Sequence, residues 1–185
     1  MSPRPARDTY HHGALRAEAA QAAYDLVVEG GHEALSLRKV AERVGVAHRS
    51  IYNHFEDREA LLDAVAERGY VQLAQPLKAA ADPAGYVAAY LGFALAHPNL
   101  YRLMRSRPHV TMKLKPALQA AVHLGITEAL RIFGRPDRSS AENRRAVMKT
   151  IILLQGGLAM HLGGILDVDG DEGFIAELQA MVASG

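Results

Sequence analysis

Apolar positions recur at three-and-four spacing along most of this chain, and no strand-like alternation, internal repeat or low-complexity stretch stands out. Leu15, Ala19, Ala22, Ala23, Leu26 and Val27 form the first stripe, predicting a helix over about 13–29 that stops at Gly30 and Gly31. Ser36 is a good cap for a second helix. A third is predicted over about 47–55, and a fourth opens at Asp57 with Leu61, Leu62, Val65 and Leu73 as its stripe, running to about Leu73 before Pro76 closes it. Pro83, Pro98, Pro108, Pro116 and Pro136 divide the rest into helices near 84–97, 99–106, 116–133, 140–165 and 172–183. The fold class is therefore all-α. A three-helix head over residues 1–58 is linked by the fourth helix to a helical body over 74–185.

The stretch from Ser36 to Phe55, SLRKVAERVGVAHRSIYNHF, has the spacing of a helix-turn-helix that reads DNA. Two short helices crossing at a steep angle must bury apolar side chains against each other, and Val40, Val44, Val46 and Ile51 occupy those positions. Ala41 is small where the second helix passes close by, and Gly45 can take the positive φ of the turn. The following helix is then held with its polar face outward, carrying His48, Arg49, Ser50, Tyr52 and Asn53. Ala47, just before it, cannot accept a hydrogen bond from the helix N-terminus.

A longer run carries a resemblance. From Tyr10 to Tyr70 the chain reads YHHGALRAEAAQAAYDLVVEGGHEALSLRKVAERVGVAHRSIYNHFEDREALLDAVAERGY, and the ordered series HHGALR, GGHEALSLRKVA, the GV turn, IYNHF and DREALLDAVAERG resembles the DNA-binding head of TetR-type bacterial transcription regulators. The resemblance implies a homodimer binding a near-palindromic operator in double-stranded DNA. It further implies a repressor whose body takes a small-molecule effector. Base or phosphate contact is then expected from Ser36, Arg38, Lys39, His48, Arg49, Ser50, Tyr52, Asn53, His54 and Arg58, with Phe55 in the core. FALAHPNLYRLM and QGGLAMHLGG resemble segments of one subgroup's ligand-binding and dimer-forming helices, although Ile152 replaces that subgroup's Trp and Gly156 its His.

Net charge modifies this picture only through placement. Residues 1–70 hold nine Lys and Arg against eleven Asp and Glu, so the head is not basic overall. Arg4, Arg7, Arg38, Lys39, Arg49 and Arg58 nevertheless fall in the arm, the two short helices and the start of the fourth, while acids concentrate in the first helix and after Glu56. The sequence contains no cysteine, which fits a reducing cytoplasm. No apolar run is long enough to span a bilayer and MSPRPARD lacks the apolar core of a secretory signal, so a cytoplasmic protein with no membrane contact is expected.

The body offers a candidate effector pocket. Tyr86, Tyr90, Phe93 and His97 share roughly one helix face, and Tyr101, Met104, Met112 and Met148 are placed to complete an apolar wall suited to an uncharged or weakly acidic molecule. Plain core packing is the competing reading of the same residues. Gly156, Gly157, Gly163 and Gly164 each cost about 1 kcal/mol of helix propensity, which close approach of a partner helix is expected to offset. The nine histidines form no HExxH and no carboxylate-joined i, i+4 pair, so no metal is expected. No nucleophile elbow, phosphate loop or dinucleotide fingerprint is present, so neither cofactor nor catalysis is expected. The alternative from another class is a helical small-ligand carrier or enzyme with a vestigial head, against which the intact Arg49, Tyr52 and Arg58 stand.

Overall fold

A computed structural model describes residues 7–107 and 114–183, with side chains from residue 14 onward. Arg4, Met112 and the side chain of Arg7 lie outside the described residues. All elements among the described residues are α-helices: α1 (Arg7–Gly30), α2 (Leu37–Val44), α3 (His48–Tyr52), α4 (Arg58–Ala79), α5 (Pro83–Ala96), α6 (Pro98–Ser106), α7 (Pro116–Phe133), α8 (Ser140–Leu162) and α9 (Gly170–Ala183). The chain divides into two compact units. One comprises residues 1–69 with 98–118 and the other residues 70–97 with 119–185. The sequence-based division differs here, because it assigns 98–118 to the body.

In the first unit the apolar stripe of α1 buries Ala19, Ala22, Ala23 and Val27, and that of α4 buries Leu61, Leu62, Val65 and Ala66. Helix α6 joins them through Leu100, Leu103 and Met104. Its close approach explains Gly69, where a Cβ would lie 2.7 Å from Met104 Sδ and 3.1 Å from Leu100 Cδ1. Polar contacts fix the same docking: Asn99 Nδ2 donates to Val28 O at 3.0 Å, and Arg107 Nη1 donates to Glu59 Oε2 at 2.7 Å and Asp63 Oδ1 at 3.4 Å. Lys115 also pairs with Asp63, so both sides of the 107–115 connection end on α4.

In the second unit α5 is apolar nearly all round, as expected of a helix packed by neighbours on several sides. It buries Tyr86, Val87, Tyr90, Leu91 and Ala94, opposite Leu154 and Leu158 of α8 and Phe174 and Leu178 of α9. Asp82 caps α5 by accepting from Gly85 N–H at 2.7 Å, and Ser139 with Glu142 forms a reciprocal capping box at the start of α8. Helix α4 does not stop near Leu73; it runs through Pro76 to Ala79. Pro76 is exposed and forfeits only its own N–H bond, while Leu73, Ala74 and Leu77 bury the opposite side of that turn. Arg131 Nη2 then caps the end, donating to the carbonyls of Leu77, Lys78 and Ala80 at 3.2, 3.3 and 2.9 Å.

The four glycines near the end of α8 have separate explanations. Gly163 and Gly164 terminate the helix, Gly164 at φ 64°, so α8 ends at Leu162 and not near residue 165. Gly157 faces α9 of the same chain: a Cβ there would sit 2.9 Å from Leu178 Cδ1 and 3.5 Å from Phe174 Cε2. Gly156, within the helix, opens onto empty space. The expectation that partner approach explains all four therefore fails for Gly157, whose close neighbour is internal. Replacing Gly157 with Leu should overpack the α8–α9 contact and destabilise the second unit by about 1–3 kcal/mol, read as a lower thermal midpoint.

Candidate nucleic-acid interface

The turn between α2 and α3 is built as its sequence requires. Ser36 is extended and its Oγ accepts from Lys39 N–H at 3.2 Å, starting α2. Gly45 ends it at φ 77°, with its N–H on Ala41 O at 2.9 Å, and Val46 N–H reaches the same carbonyl at 3.0 Å. Val40, Ala41 and Ile51 are buried where the helices cross, and Phe55 is buried below them. Val44 and Val46 are only half-buried, at the edge of this small core.

What remains outside is the polar side of α3. His48, Arg49, Tyr52 and Asn53 are exposed, whereas Ser50 and His54 are half-buried. His48 and Tyr52 meet edge to face with ring centroids 5.0 Å apart, one helical turn from each other. Among the described residues Arg49 makes no ion pair. Arg38 is exposed and pairs with Glu42 of its own helix at 2.9 Å, and Lys39 Nζ donates to Ala34 O at 2.9 Å. Both bonds lie in solvent, where a phosphate can replace the partner.

Arg58 stands differently from its expected role. Its Nε donates to Leu35 O at 2.8 Å, its Nη2 to His32 O at 2.6 Å and its Nη1 to Glu59 Oε1 at 2.9 Å. The guanidinium thus ties the start of α4 to the turn between α1 and α2 and fixes the approach to α2. Glu59 is held between Arg107 and Arg58, and its carboxyl lies below the usual range chiefly because it accepts from Arg107. Arg16, not singled out from sequence, supports α3 from the other side. Its Nη1 donates to His54 O at 2.6 Å and its guanidinium lies 4.8 Å from the centroid of Phe55. Within HHGALR it has no periodic signal of its own.

The residues expected to form one effector pocket fall in both units. Tyr101 and Met104 belong to the first unit, where both are buried. Tyr86, Tyr90, Phe93, His97 and Met148 belong to the second. Tyr86 and Tyr90 are core: their rings stack at 6.4 Å, Tyr86 meets Phe133 edge-on at 5.1 Å, and Tyr90 Oη accepts from Gln155 Nε2 at 3.3 Å. Burial, with Glu128 adding to it, pushes the Tyr86 hydroxyl up to about 12. Phe93 and His97 are half-buried and in ring contact at 5.0 Å. Met148 is 53% exposed, because the buried stripe of α8 runs through Val147, Thr150, Leu154 and Leu158 on the opposite side. It walls no interior pocket.

A buried framework that fixes a glycine turn and leaves a short polar helix outside, followed by a helical body, defines a helix-turn-helix DNA-binding transcription regulator. Comparison with known proteins gives its family. Residues 20–65 match "Bacterial regulatory proteins, tetR family" and residues 84–181 match "Tetracyclin repressor-like, C-terminal domain"; the chain belongs to the TetR family. Over 47 residues it is 51% identical to the tetracycline repressor protein class A from transposon 1721 of Escherichia coli, covering 25% of this chain and 22% of that protein. Over 71 residues it is 34% identical to the HTH-type transcriptional repressor KstR2 of Rhodococcus jostii, covering 38% and 34%. These alignments span about a third or less of the relatives' lengths. A solved Rhodococcus sp. RHA1 protein of unknown function is similar over 95% of this chain and 97% of its own, with TM-score 0.76 and 29% identity. A TetR transcriptional regulator from the same source is similar over 93% and 97%, with TM-score 0.65 and 20% identity, a likeness of fold.

Two substitutions should move head stability in opposite directions. Ala47 makes no side-chain cap bond to α3, so Ala47→Ser should stabilise by about 0.5–2 kcal/mol. Arg58→Ala, which strands two carbonyls of the α1–α2 turn, should destabilise by about 1–3 kcal/mol. Denaturant titration with amide exchange across residues 32–55 reads both.

Proposed function

We propose that this regulator binds a near-palindromic operator as a homodimer, that it represses, and that a small molecule bound by its body releases it. The observation that carries the DNA reading is α3 itself, anchored by the buried Ile51 and presenting an exposed Arg49, with no ion pair among the described residues, beside His48, Tyr52 and Asn53. In this reading Arg49 reads a base edge in the major groove, and His48, Ser50 and Asn53 contact bases or backbone beside it. Ser36, Arg38 and Lys39 meet phosphate at the start of α2, where free N–H groups and the helix dipole favour an anion, and Tyr52 and His54 meet backbone.

Salt and substitution separate these roles. Four engaged cations, Arg38 and Lys39 in two subunits, predict a slope of log affinity against log salt of about −4. Arg49→Ala should lose about 1–3 kcal/mol of discrimination at one base pair per half-site. Electrophoretic titration on operator and random DNA is the measurement, and equal loss on both would remove Arg49 as a base reader.

The dimer reading rests on apolar residues that α8 and α9 leave outside. Met148 is 53%, Ile152 64%, Leu162 61% and Met181 54% exposed, and Gly156 continues the Met148–Ile152 face with open space beside it. Exposed apolar residues grouped along a helix of the body are what a symmetric partner covers. Ile152→Glu should yield monomers in sedimentation and weaken operator binding, since two recognition helices must reach major grooves about 34–36 Å apart. For effector control, reciprocity is required: a ligand that lowers operator affinity 5- to 150-fold, about 1–3 kcal/mol, must itself bind the operator complex more weakly by the same factor.

A further inference from the structure

The second unit contains a half-open cleft of about 270 Å³ at the turn from α7 into α8. Phe133, Leu153 and Met181 give it an apolar floor, and Arg135, Arg138 and Lys149 stand among its lining residues, which include no carboxylate. The surrounding sequence is strongly basic for a chain of net charge +1: residues 135–149 hold five Arg and Lys against Asp137 and Glu142. Both acids are already engaged. Asp137 pairs with Arg135 Nε at 3.2 Å. Glu142 accepts from Ser139 Oγ at 2.6 Å and from Ser139 N–H at 2.7 Å, bonds that hold its carboxyl below the usual range even before the nearby Arg138 charge adds to them. Among the described residues neither Arg138 nor Lys149 forms an ion pair.

We propose that this cleft binds a small organic monocarboxylate, its carboxylate bridging Arg138 and Lys149 and its apolar body lying on Phe133, Leu153 and Met181. Charge and shape both select this class. Two cations that form no ion pair among the described residues, beside an apolar floor, favour an anion that carries its own apolar surface, and a guanidinium matches the two oxygens of a carboxylate. The volume lies just below the usual range of ligand sites, which suits an aromatic or medium-chain acid. Phosphate, which carries no apolar surface of its own, would leave the floor of Phe133, Leu153 and Met181 uncovered. The site lies in the second unit; of its lining only Met181 is also counted in the apolar face assigned to the dimer, and the roles of Arg138 and Lys149 do not depend on that reading. Phe133 nevertheless joins it to the body core through its edge-on contact with Tyr86.

Calorimetric titration of the full chain with octanoate and with octan-1-ol tests the proposal, since the two share a tail and differ in charge. Saturable binding of one octanoate per chain is expected, with octanol at least tenfold weaker. Arg138→Gln with Lys149→Gln should weaken octanoate at least tenfold and leave octanol unchanged, while Ala146→Phe, which fills the cleft, should remove both. Because Ala146→Phe can disturb folding, the Met181 methyl resonance of the unaltered protein gives a second reading and should shift on saturation with octanoate. Absence of saturable octanoate binding, full affinity in the Arg138/Lys149 variant, or an unmoved Met181 resonance would each overturn it.

Discussion

Everything that α3 presents depends on the turn before it. Two helices of eight and five residues have little stability of their own, because helix nucleation is costly and short helices recover few hydrogen bonds. Their geometry is imposed from outside. Gly45 reverses the chain at a φ that a Cβ-bearing residue adopts only at a cost, Ala41 accepts both Gly45 and Val46 N–H groups, and Ile51 is driven into the crossing. Arg16 and Arg58 then hold the two entrances by donating to carbonyls on either side of the motif. His48, Arg49 and Tyr52 are left on the exposed side of α3, outside the buried contacts that hold it.

This division of labour also explains what was legible in the sequence. Capping and turn chemistry are local, so Ser36, Gly45 and the uncapped Ala47 follow from residue type and spacing alone. Apolar periodicity likewise gives most of the buried positions of α1 and α4. Arg58 is less transparent: a cation at a helix N-terminus reads as a phosphate ligand until the carbonyls of His32 and Leu35, more than twenty residues away in sequence, are seen to take it. Arg16 is hidden for the same reason. Long flexible cations reach partners that no spacing rule identifies, and their roles emerge only when the tertiary structure supplies the acceptors.

In the body the same limit applies to small and large residues alike. A glycine within a helix signals close approach or a terminus, and sequence does not distinguish them; structure sends Gly157 to Leu178, Gly163 and Gly164 to the helix end, and Gly156 to open space. Aromatics at helical spacing are similarly ambiguous between core and cavity. Tyr86 and Tyr90 resolve to core because α5 is packed along most of its circumference, while Met148, one turn before Ile152, resolves to surface because the buried stripe of α8 passes behind it. Pro76 is misleading for a related reason: one missing N–H does not end a helix whose neighbours are buried and whose last carbonyls Arg131 caps.

The charge of the head can be understood once its pairs are known. An excess of acids over bases in residues 1–70 would oppose DNA if those acids were free at the binding face. Several are not. Glu29 is bonded to Arg43, Glu59 to Arg107 and Arg58, and Asp63 to Arg107 and Lys115, the last two cations coming from beyond residue 70. Counting by sequence interval therefore leaves out neutralising groups that the fold supplies from elsewhere. Arg49 is left with no anionic partner among the described residues, on the exposed side of α3. A formal total cannot reveal that asymmetry, because a DNA phosphate or base responds to the charges that face it within about a Debye length, roughly 8–10 Å at physiological salt.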